Sequence, residues 1–226
     1  LRGLALRKAT RFEMTNKASV RAYLKKLLAE QYTPGELARE GLAMEALGLI
    51  HAGTDYEATV VGLYEEQVGG YYDPRLEVFY IADWIAPSSQ EGIIAHELCH
   101  VLQDQHFQID TFIERLKGRS DAMLARASLV EGEATLVMML DKVGATGAEP
   151  ELSTVDLYGP FGQAMMSLSA RQYPLFASSP RALKALLMFP YLQGLRFVAT
   201  GRKQGGWSAL NKAFRDLPQS TEHLLH

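Results

Sequence analysis

The residues whose types and spacing most clearly indicate a chemical function are His96, Glu97 and His100. They form an HExxH motif inside the run Ile93–Leu102. Successive residues of an α-helix turn by about 100°, so residues four apart lie on nearly the same side. We therefore expect the two imidazoles to bind one metal ion, while Glu97 points aside and reaches a metal-bound water as general base. Nitrogen and oxygen ligands with one position left for water indicate zinc as the cofactor.

The apolar neighbours of this motif predict that its helix is buried. HExxH also arises by chance, usually on exposed helices or beside Pro or Gly, whereas Ile94, Leu98 and Val101 surround this copy. Buried imidazoles and carboxylates without partners cost roughly several kcal/mol, and a metal ion would satisfy them. Asp104 lies one turn beyond His100, and we expect it either to orient a ligand imidazole or to be an ordinary surface acid.

Zinc requires a third protein ligand, and two of the three candidates fit their patterns poorly. His106 follows the motif with metzincin spacing, but Gln103 stands where a glycine would end the helix. A continuing helix turns His106 about 240° away from His100. Asp156 lies in a run, 153–159, that is similar to the aspzincin signature but departs from it at the first residue and is one residue short.

Glu131 is the third candidate, and we favour it. It lies in the run Leu129–Ala134 of the next long predicted helix, and consecutive helices with a short connection pack antiparallel, so their faces meet. Gly132 would let the helices approach closely and leave room for the metal. Glu133, two residues on, should point about 200° away from Glu131. The alternative is an exposed helix acid, which the apolar neighbours argue against.

A ligand set of His96, His100 and Glu131 with Glu97 as base resembles the gluzincin class of zinc metallopeptidases, whose third ligand comes from a downstream helix. A longer series is similar to a group of mostly uncharacterised bacterial proteins assigned to gluzincin-like peptidases, and covers roughly residues 56–226. The resemblance implies a zincin-like fold, peptidase activity, and export or association with the cell envelope. The runs that carry it are Gly70–Pro74, His96–Phe107, Glu131–Ala134, Phe189–Gly194 and Ser220–His226.

The expected reaction is hydrolysis of a peptide bond in a peptide or protein substrate. Zinc lowers the pKa of bound water from 15.7 to about 7 and polarises the scissile carbonyl. Glu97 accepts the proton of that water and passes it to the leaving amine. The tetrahedral oxyanion needs a further donor, for which Tyr191 and His226 are the catalytic candidates, with Tyr71 and Tyr72 as other possible donors.

The elements that must position these residues predict an α+β fold that is predominantly α-helical, in a single domain of residues 1–226. Residues 1–14 are basic and weakly patterned, and we expect an N-terminal arm. Short strands at 70–72 and 76–81 predict a hairpin around Asp73-Pro74, whose second strand either forms a substrate-binding edge or only covers the metal helix. Helices are predicted at about 16–30, 33–53, 54–67, 88–107, 120–143, 161–171, 180–202 and 206–216, with a kink at Pro190.

The composition limits the class of protein, its partners and its covalent cross-links. The 226 residues are 47% hydrophobic and 22% charged, an ordinary globular composition, and the net charge of −3 argues against nucleic acid as an obligate partner. Cys99 is the single cysteine, so no intramolecular disulfide forms, and no apolar run is long enough to span a membrane. Oligomeric state is left open. A zinc-stabilised but catalytically silent binding or assembly module is the alternative to a peptidase.

Overall fold

The computed structural model describes residues 1–114, 116, 118–144 and 151–225 of the chain. In these residues the protein is mostly helical with one three-stranded sheet, which confirms the predicted, predominantly α-helical α+β class. The elements in chain order are β1 (Arg11–Thr15), α1 (Lys17–Gln31), α2 (Glu36–Ala46), α3 (Tyr56–Gln67), β2 (Gly70–Asp73), β3 (Val78–Ala82), α4 (Pro87–Phe107), α5 (Thr111–Glu114), α6 (Ser120–Gly144), α7 (Pro160–Gln172), α8 (Pro174–Ser178), α9 (Arg181–Ala213) and α10 (Glu222–Leu225).

Side-chain hydrogen bonds are formed at the starts of the first three helices, and two of these helices, α2 and α3, begin later than predicted. The side chain of Asn16 accepts a hydrogen bond from the first turn of α1, as expected. The carboxylate of Glu36 accepts from the backbone N–H of Thr33 at 2.7 Å, but α2 begins only at Glu36 and already ends at Ala46. Asp55, rather than the predicted threonine before it, caps α3.

The sheet has the order β1-β3-β2, with β3 parallel to β1 and antiparallel to β2. The predicted hairpin ahead of the HExxH helix is therefore confirmed. Of the two alternatives for its second strand, the substrate-binding edge is wrong, because β3 lies in the middle of the sheet, and β3 instead covers α4. The apolar run of β3 reflects its central position, because a strand with a neighbour on both sides is shielded along both edges. Strand β2, formed by Gly70–Asp73, is the edge that borders the metal helix.

The predicted arm at residues 1–14 is also wrong, since Arg11–Thr15 form β1. Residues before β1 lie against the body of the protein as well. Arg2 is only 3% exposed, the backbone N–H of Arg7 donates to Gln105 at 2.8 Å, and His106 Nε2 lies 2.8 Å from the carbonyl oxygen of Ala5. This docking joins residues about a hundred positions apart, which local patterning cannot reveal.

Helix α4 carries the HExxH motif between the sheet and α6. Its sheet-facing side buries Val101 against Tyr72, Phe79 and Ile81, and its opposite side packs on α6. The helix runs without interruption to Phe107, as predicted, and ends where the next residue adopts a left-handed conformation.

A glycine crossing joins α6 to α9. A Cβ placed on Gly132 would lie 2.2 Å from the backbone carbon of Gly194, and one on Gly194 would lie 2.1 Å from the carbonyl oxygen of Ser128. Gly132 therefore permits close approach, as predicted, but to α9 rather than to α4. Gly205 and Gly206 have non-helical backbone angles and divide α9 into two helical parts. These parts correspond to the two helices predicted at 180–202 and 206–216. No helix in the described parts of the chain is long and apolar enough to cross a bilayer.

Candidate metal centre

His96, His100 and Glu131 converge as the sequence predicted. The two histidines lie one turn apart on α4, and α6 brings Glu131 to the same point. His96 Nε2 lies 3.0 Å from His100 Nε2 and 3.1 Å from Glu131 Oε2, and the third separation, between His100 Nε2 and Glu131 Oε2, is 3.6 Å. All three groups present one potential ligand atom to a common point.

These separations suit a small tetrahedral cation. Zinc binds nitrogen and oxygen at about 2.0–2.2 Å, so two ligand atoms of a tetrahedral site lie about 3.3 Å apart. The three distances, 3.0, 3.1 and 3.6 Å, bracket that value. Two imidazoles and one carboxylate are also the donor set that zinc accepts at sites with a position left for water. The residues present therefore fit a zinc ion.

The electrostatics of the cluster favour a positive charge at its centre. Burial of the His100 imidazole lowers its pKa, but the Glu131 carboxylate overcomes this effect and raises the pKa to about 9. Conversely, the two histidines hold the pKa of Glu131 far below its usual range, although burial alone would raise it.

Glu97, the predicted general base, lies beside the cluster. The residue is 5% exposed, and its Oε2 atom is buried without a hydrogen-bond partner among the described residues. Burial raises the pKa of this carboxyl, whereas His100, His96 and the backbone N–H of Tyr72 favour the ionised form. A buried carboxylate oxygen with no protein donor is free to accept a proton or hydrogen bond from a water or ligand at the centre.

Gln103 is a functional candidate that the sequence analysis missed. Its Oε1 lies 2.8 Å from His100 Nδ1, and the side chain is fully buried. Asp104, the residue expected to orient an imidazole, instead accepts a hydrogen bond from the hydroxyl of Tyr72 at 3.0 Å. One feature of the sequence indicates this role. Gln103 follows His100 by three residues, which places it on the same side of the helix, one turn further along.

Glu133 points away from the metal centre, as predicted from its position two residues after Glu131. It is fully buried and forms an ion pair with Arg2, with 2.8 Å between Nε and Oε1. Its other oxygen accepts a hydrogen bond from Gln103 at 3.1 Å. Sequence patterns do not reveal this partner, because Arg2 lies in residues 1–14, for which they predict an arm.

Neither alternative third ligand reaches the cluster. His106 lies near the carbonyl oxygen of Ala5, because α4 continues through it and turns it away. Asp156 lies between helices α6 and α7, where it accepts a weak hydrogen bond from Gln193 at 3.4 Å and faces Arg196 at 3.7 Å. The geometry thus favours Glu131 over both.

Of the predicted oxyanion donors, Tyr191 lies beside a histidine of the cluster. Its ring centroid is 6.4 Å from that of His96, and the charge of Glu131, together with burial, raises the pKa of its hydroxyl. Tyr71 stacks on Tyr23 and Tyr80 on the other face of the sheet, and Tyr72 already bonds Asp104. His226 lies outside the described residues. Tyr64 was missed: burial and the charge of Glu131 raise the pKa of its hydroxyl.

A cavity of about 630 Å³ adjoins the cluster of candidate ligands. His100 and Glu131 lie in its wall together with Tyr64, and most of the remaining wall is apolar. This volume falls within the range of about 300–1,000 Å³ that is typical of small-molecule sites. Other lining residues include Tyr23, Leu24, Leu28, Tyr32, Tyr72, Ile109, Phe112, Met123, Ala127, Val130 and Pro190.

Comparison of the chain with protein families, with curated proteins and with solved structures gave no match.

Proposed function

We propose that this protein is a zinc metallopeptidase of gluzincin type that hydrolyses peptide bonds. One observation carries the proposal: a buried carboxylate oxygen of Glu97, with no hydrogen-bond partner in the described part of the chain, lies beside the converging side-chain atoms of His96, His100 and Glu131. A site that only held zinc for stability would have no use for such an oxygen. The packing of the HExxH helix between a small sheet and the helix of the third ligand supports a zincin-like fold.

The chemistry follows from how the residues are arranged. A bound zinc ion would supply Lewis acidity and bring a water to neutral-pH reactivity. His96, His100 and Glu131 would hold it. Glu97 would accept the proton of the attacking water on its free oxygen and then pass it to the leaving amine. The Tyr191 hydroxyl would donate to the oxygen that becomes negative in the transition state.

The surroundings of the centre support an extended peptide as the substrate. Strand β2 has a neighbouring strand on one side only among the described elements, and the backbone N–H of Tyr72 on its other side is directed at Glu97. Backbone groups alternate in direction along an antiparallel pair, so Gly70 presents its N–H and C=O on the same free side. A peptide paired with this edge would bring its backbone close to the catalytic carboxylate.

The test is cleavage of a mixed peptide library by zinc-loaded wild-type protein, read by mass spectrometry. Glu97→Gln is run beside it, with Glu91→Gln as the matched control, since Glu91 is an exposed residue of the same helix. We expect cleavage by the wild type and by Glu91→Gln. The Glu97→Gln variant should bind zinc as tightly as the wild type but lose roughly 10²–10⁴-fold in rate.

Each other result has a definite meaning. Undiminished cleavage by Glu97→Gln would contradict the role of Glu97 as base. Wild-type protein that binds zinc and raises its Tm on doing so, but cleaves no peptide, would favour the silent binding module. A zinc content near zero after purification and reconstitution would exclude both functions.

A further inference from the structure

The amide of Gln103 has partners that fix which way round it lies. Its Nε2 donates to the carbonyl oxygen of Val130 at 2.9 Å and to the carboxylate of Glu133 at 3.1 Å. The carbonyl oxygen of Val130 can only accept a hydrogen bond, so the nitrogen end of the amide must face it. The oxygen end, Oε1, is thereby directed at His100 Nδ1, which lies 2.8 Å away.

This orientation sets the protonation pattern of the His100 ring. An amide oxygen only accepts hydrogen bonds, so His100 Nδ1 must carry a proton and donate it. In the neutral ring the lone pair then resides on Nε2, the atom that lies nearest His96 and Glu131. Gln103 therefore selects the tautomer of His100 that can bind a metal through Nε2.

Arg2 binds Glu133, the residue that accepts a hydrogen bond from Gln103. Its guanidinium pairs with Glu133 at 2.8 Å, donates to Asn211 Oδ1 at 2.7 Å, and lies over the ring of Trp207, 4.7 Å from its centroid. Arg2 is 3% exposed and Glu133 fully buried, so each charge depends on the other in a medium where an unpaired charge is costly. The ion pair with Arg2 fixes the position of the Glu133 carboxylate, which accepts the hydrogen bond from Gln103 Nε2 at 3.1 Å.

We propose that Gln103, Glu133 and Arg2, here called the Gln103 network, act as positioning residues that hold His100 in its metal-binding tautomer. The proposal rests on the metal centre of the proposed function but not on peptidase activity. It links the beginning of the described chain to the metal ligands: Arg2 acts on Glu133, Glu133 on Gln103, and Gln103 on His100. None of the three is expected to touch the metal or the substrate.

The first test compares Gln103→Met with Gln193→Met. Both replace a buried glutamine by an apolar side chain of similar length, but Gln193 bonds Asp156 and lies outside the Gln103 network. Zinc affinity is measured by competition with a chromogenic chelator. We expect Gln103→Met to bind zinc about 10–100-fold more weakly than wild type, the range for loss of an outer partner of a ligand histidine, and Gln193→Met to bind like wild type.

A spectroscopic reading separates this role from a general loss of packing. In zinc-loaded, ¹⁵N-labelled wild-type protein, the Nδ1 proton of His100 should give a resonance protected from solvent exchange, because it is buried and donates to Gln103. That resonance should exchange rapidly or disappear in Gln103→Met and persist in Gln193→Met. Equal zinc affinity and an unchanged resonance in both variants would overturn the proposal.

The role of Arg2 is tested with Arg2→Met and the conservative Arg2→Lys. We expect zinc affinity to fall several-fold in Arg2→Met and to recover partly in Arg2→Lys, which restores the charge. If Arg2→Met does not fold, the Arg2→Met/Glu133→Gln double variant replaces it, because it leaves no buried charge unpaired. Wild-type zinc affinity in whichever of the two folds would remove Arg2 from the network. Failure of wild-type protein to bind zinc would instead defeat the metal centre itself.

Discussion

Helix α6 has two sides with opposite physical character, and the candidate metal ligand Glu131 lies where they meet. The packed side, defined by Ser128, Gly132 and Glu133, meets the backbone of α9 and the buried Arg2 without leaving space. The cavity side, defined by Met123, Ala127 and Glu131, borders the cavity of about 630 Å³. The three residues of the cavity side are spaced by four, so a single helical stripe leads along the cavity wall to the ligand.

The difference shows how one helix can meet two conflicting needs. A metal site requires its ligands to be held within a few tenths of an ångström, which close packing of backbone and fixed hydrogen bonds provides. A substrate site requires space that no side chain fills. Changes on the packed side should therefore alter metal binding and stability, whereas changes on the cavity side, apart from Glu131 itself, should alter turnover or substrate choice.

The largest effect is expected at Glu131, where both sides meet. Glu131→Gln keeps the shape of the side chain but removes the carboxylate charge from a cluster whose groups attract a cation. Zinc affinity should fall by more than the roughly 100-fold upper range of an outer partner, and peptide cleavage should vanish with it. The measurement is the zinc dissociation constant by chelator competition.

Asp156→Asn is the control for this variant, since Asp156 is the alternative carboxylate in the sequence and lies outside the cluster. Its zinc affinity should equal that of the wild type. The opposite pattern, with zinc lost in Asp156→Asn and retained in Glu131→Gln, would mean that the metal does not bind where the three groups converge.

The second-largest effect is expected for Tyr191→Phe, which should lower the cleavage rate without changing metal binding. Tyr191→Phe removes only the hydroxyl whose pKa the charge of Glu131 raises, and leaves the ring beside His96. The rate of peptide cleavage should fall about 10²–10³-fold, the usual loss for one oxyanion donor, at unchanged zinc affinity. Tyr71→Phe, which lies in a stack on the other face of the sheet, should keep wild-type rates. Similar rates for the two variants would remove Tyr191 from the mechanism.

The sequence was sufficient to predict that His96, His100 and Glu131 converge, because their positions depend on helix geometry and on the packing of neighbouring helices. His96 and His100 share a side by helical periodicity, and Glu131 follows on the next long helix, so only a short connection and one packing rule were needed. The hairpin ahead of α4 was likewise readable from its turn residues, Asp73 and Pro74.

The largest missed features depend on contacts between distant parts of the chain. Strand β1 pairs with β3 about 67 positions later, in a parallel register that no local pattern specifies. Arg2 and Glu133 are paired across most of the described chain, and only burial of both charges makes the pair informative. Gln103 was within reach, because a glutamine in an apolar helical run one turn from a ligand histidine needs a partner.

The third effect concerns stability and probes the packed side directly. Gly132→Ala places a methyl group 2.2 Å from a backbone carbon of α9, and backbone cannot move aside like a flexible side chain. We expect the free energy of unfolding to fall by about 2–3 kcal/mol, which lowers Tm by roughly 4–12 °C in a chain of this size. Gly144→Ala on the same helix, where a Cβ meets nothing within 4 Å, should show no such loss.

The zinc affinity of Gly132→Ala tests whether the packed side of α6 also holds the metal site in place. Because Glu131 and Glu133 flank Gly132, a shift of α6 away from α9 should also displace a ligand and loosen the Gln103 network. Weaker zinc binding is therefore expected together with the lower Tm. A variant with wild-type Tm would show that the two helices are not in close contact at this point.

The smallest effect on stability is expected on the cavity side. Ala127→Leu adds three carbon atoms to a residue that lines the cavity one turn before Glu131, so the new side chain can occupy existing space. The free energy of unfolding should change by less than about 1 kcal/mol, and zinc affinity should be unchanged. Cleavage of the peptide library should nevertheless shift away from large side chains at one position relative to the cut.

Ala125→Leu on the same helix is the matched control, because Ala125 is fully buried and does not line the cavity. The same added volume there has no space to enter, so that variant should lose stability like Gly132→Ala. If Ala127→Leu were as destabilised as Ala125→Leu, the space beside Glu131 would be filled in solution. If it were stable but cleaved the library as the wild type does, the cavity would exist without receiving the substrate, and the β2 edge would have to provide the selectivity.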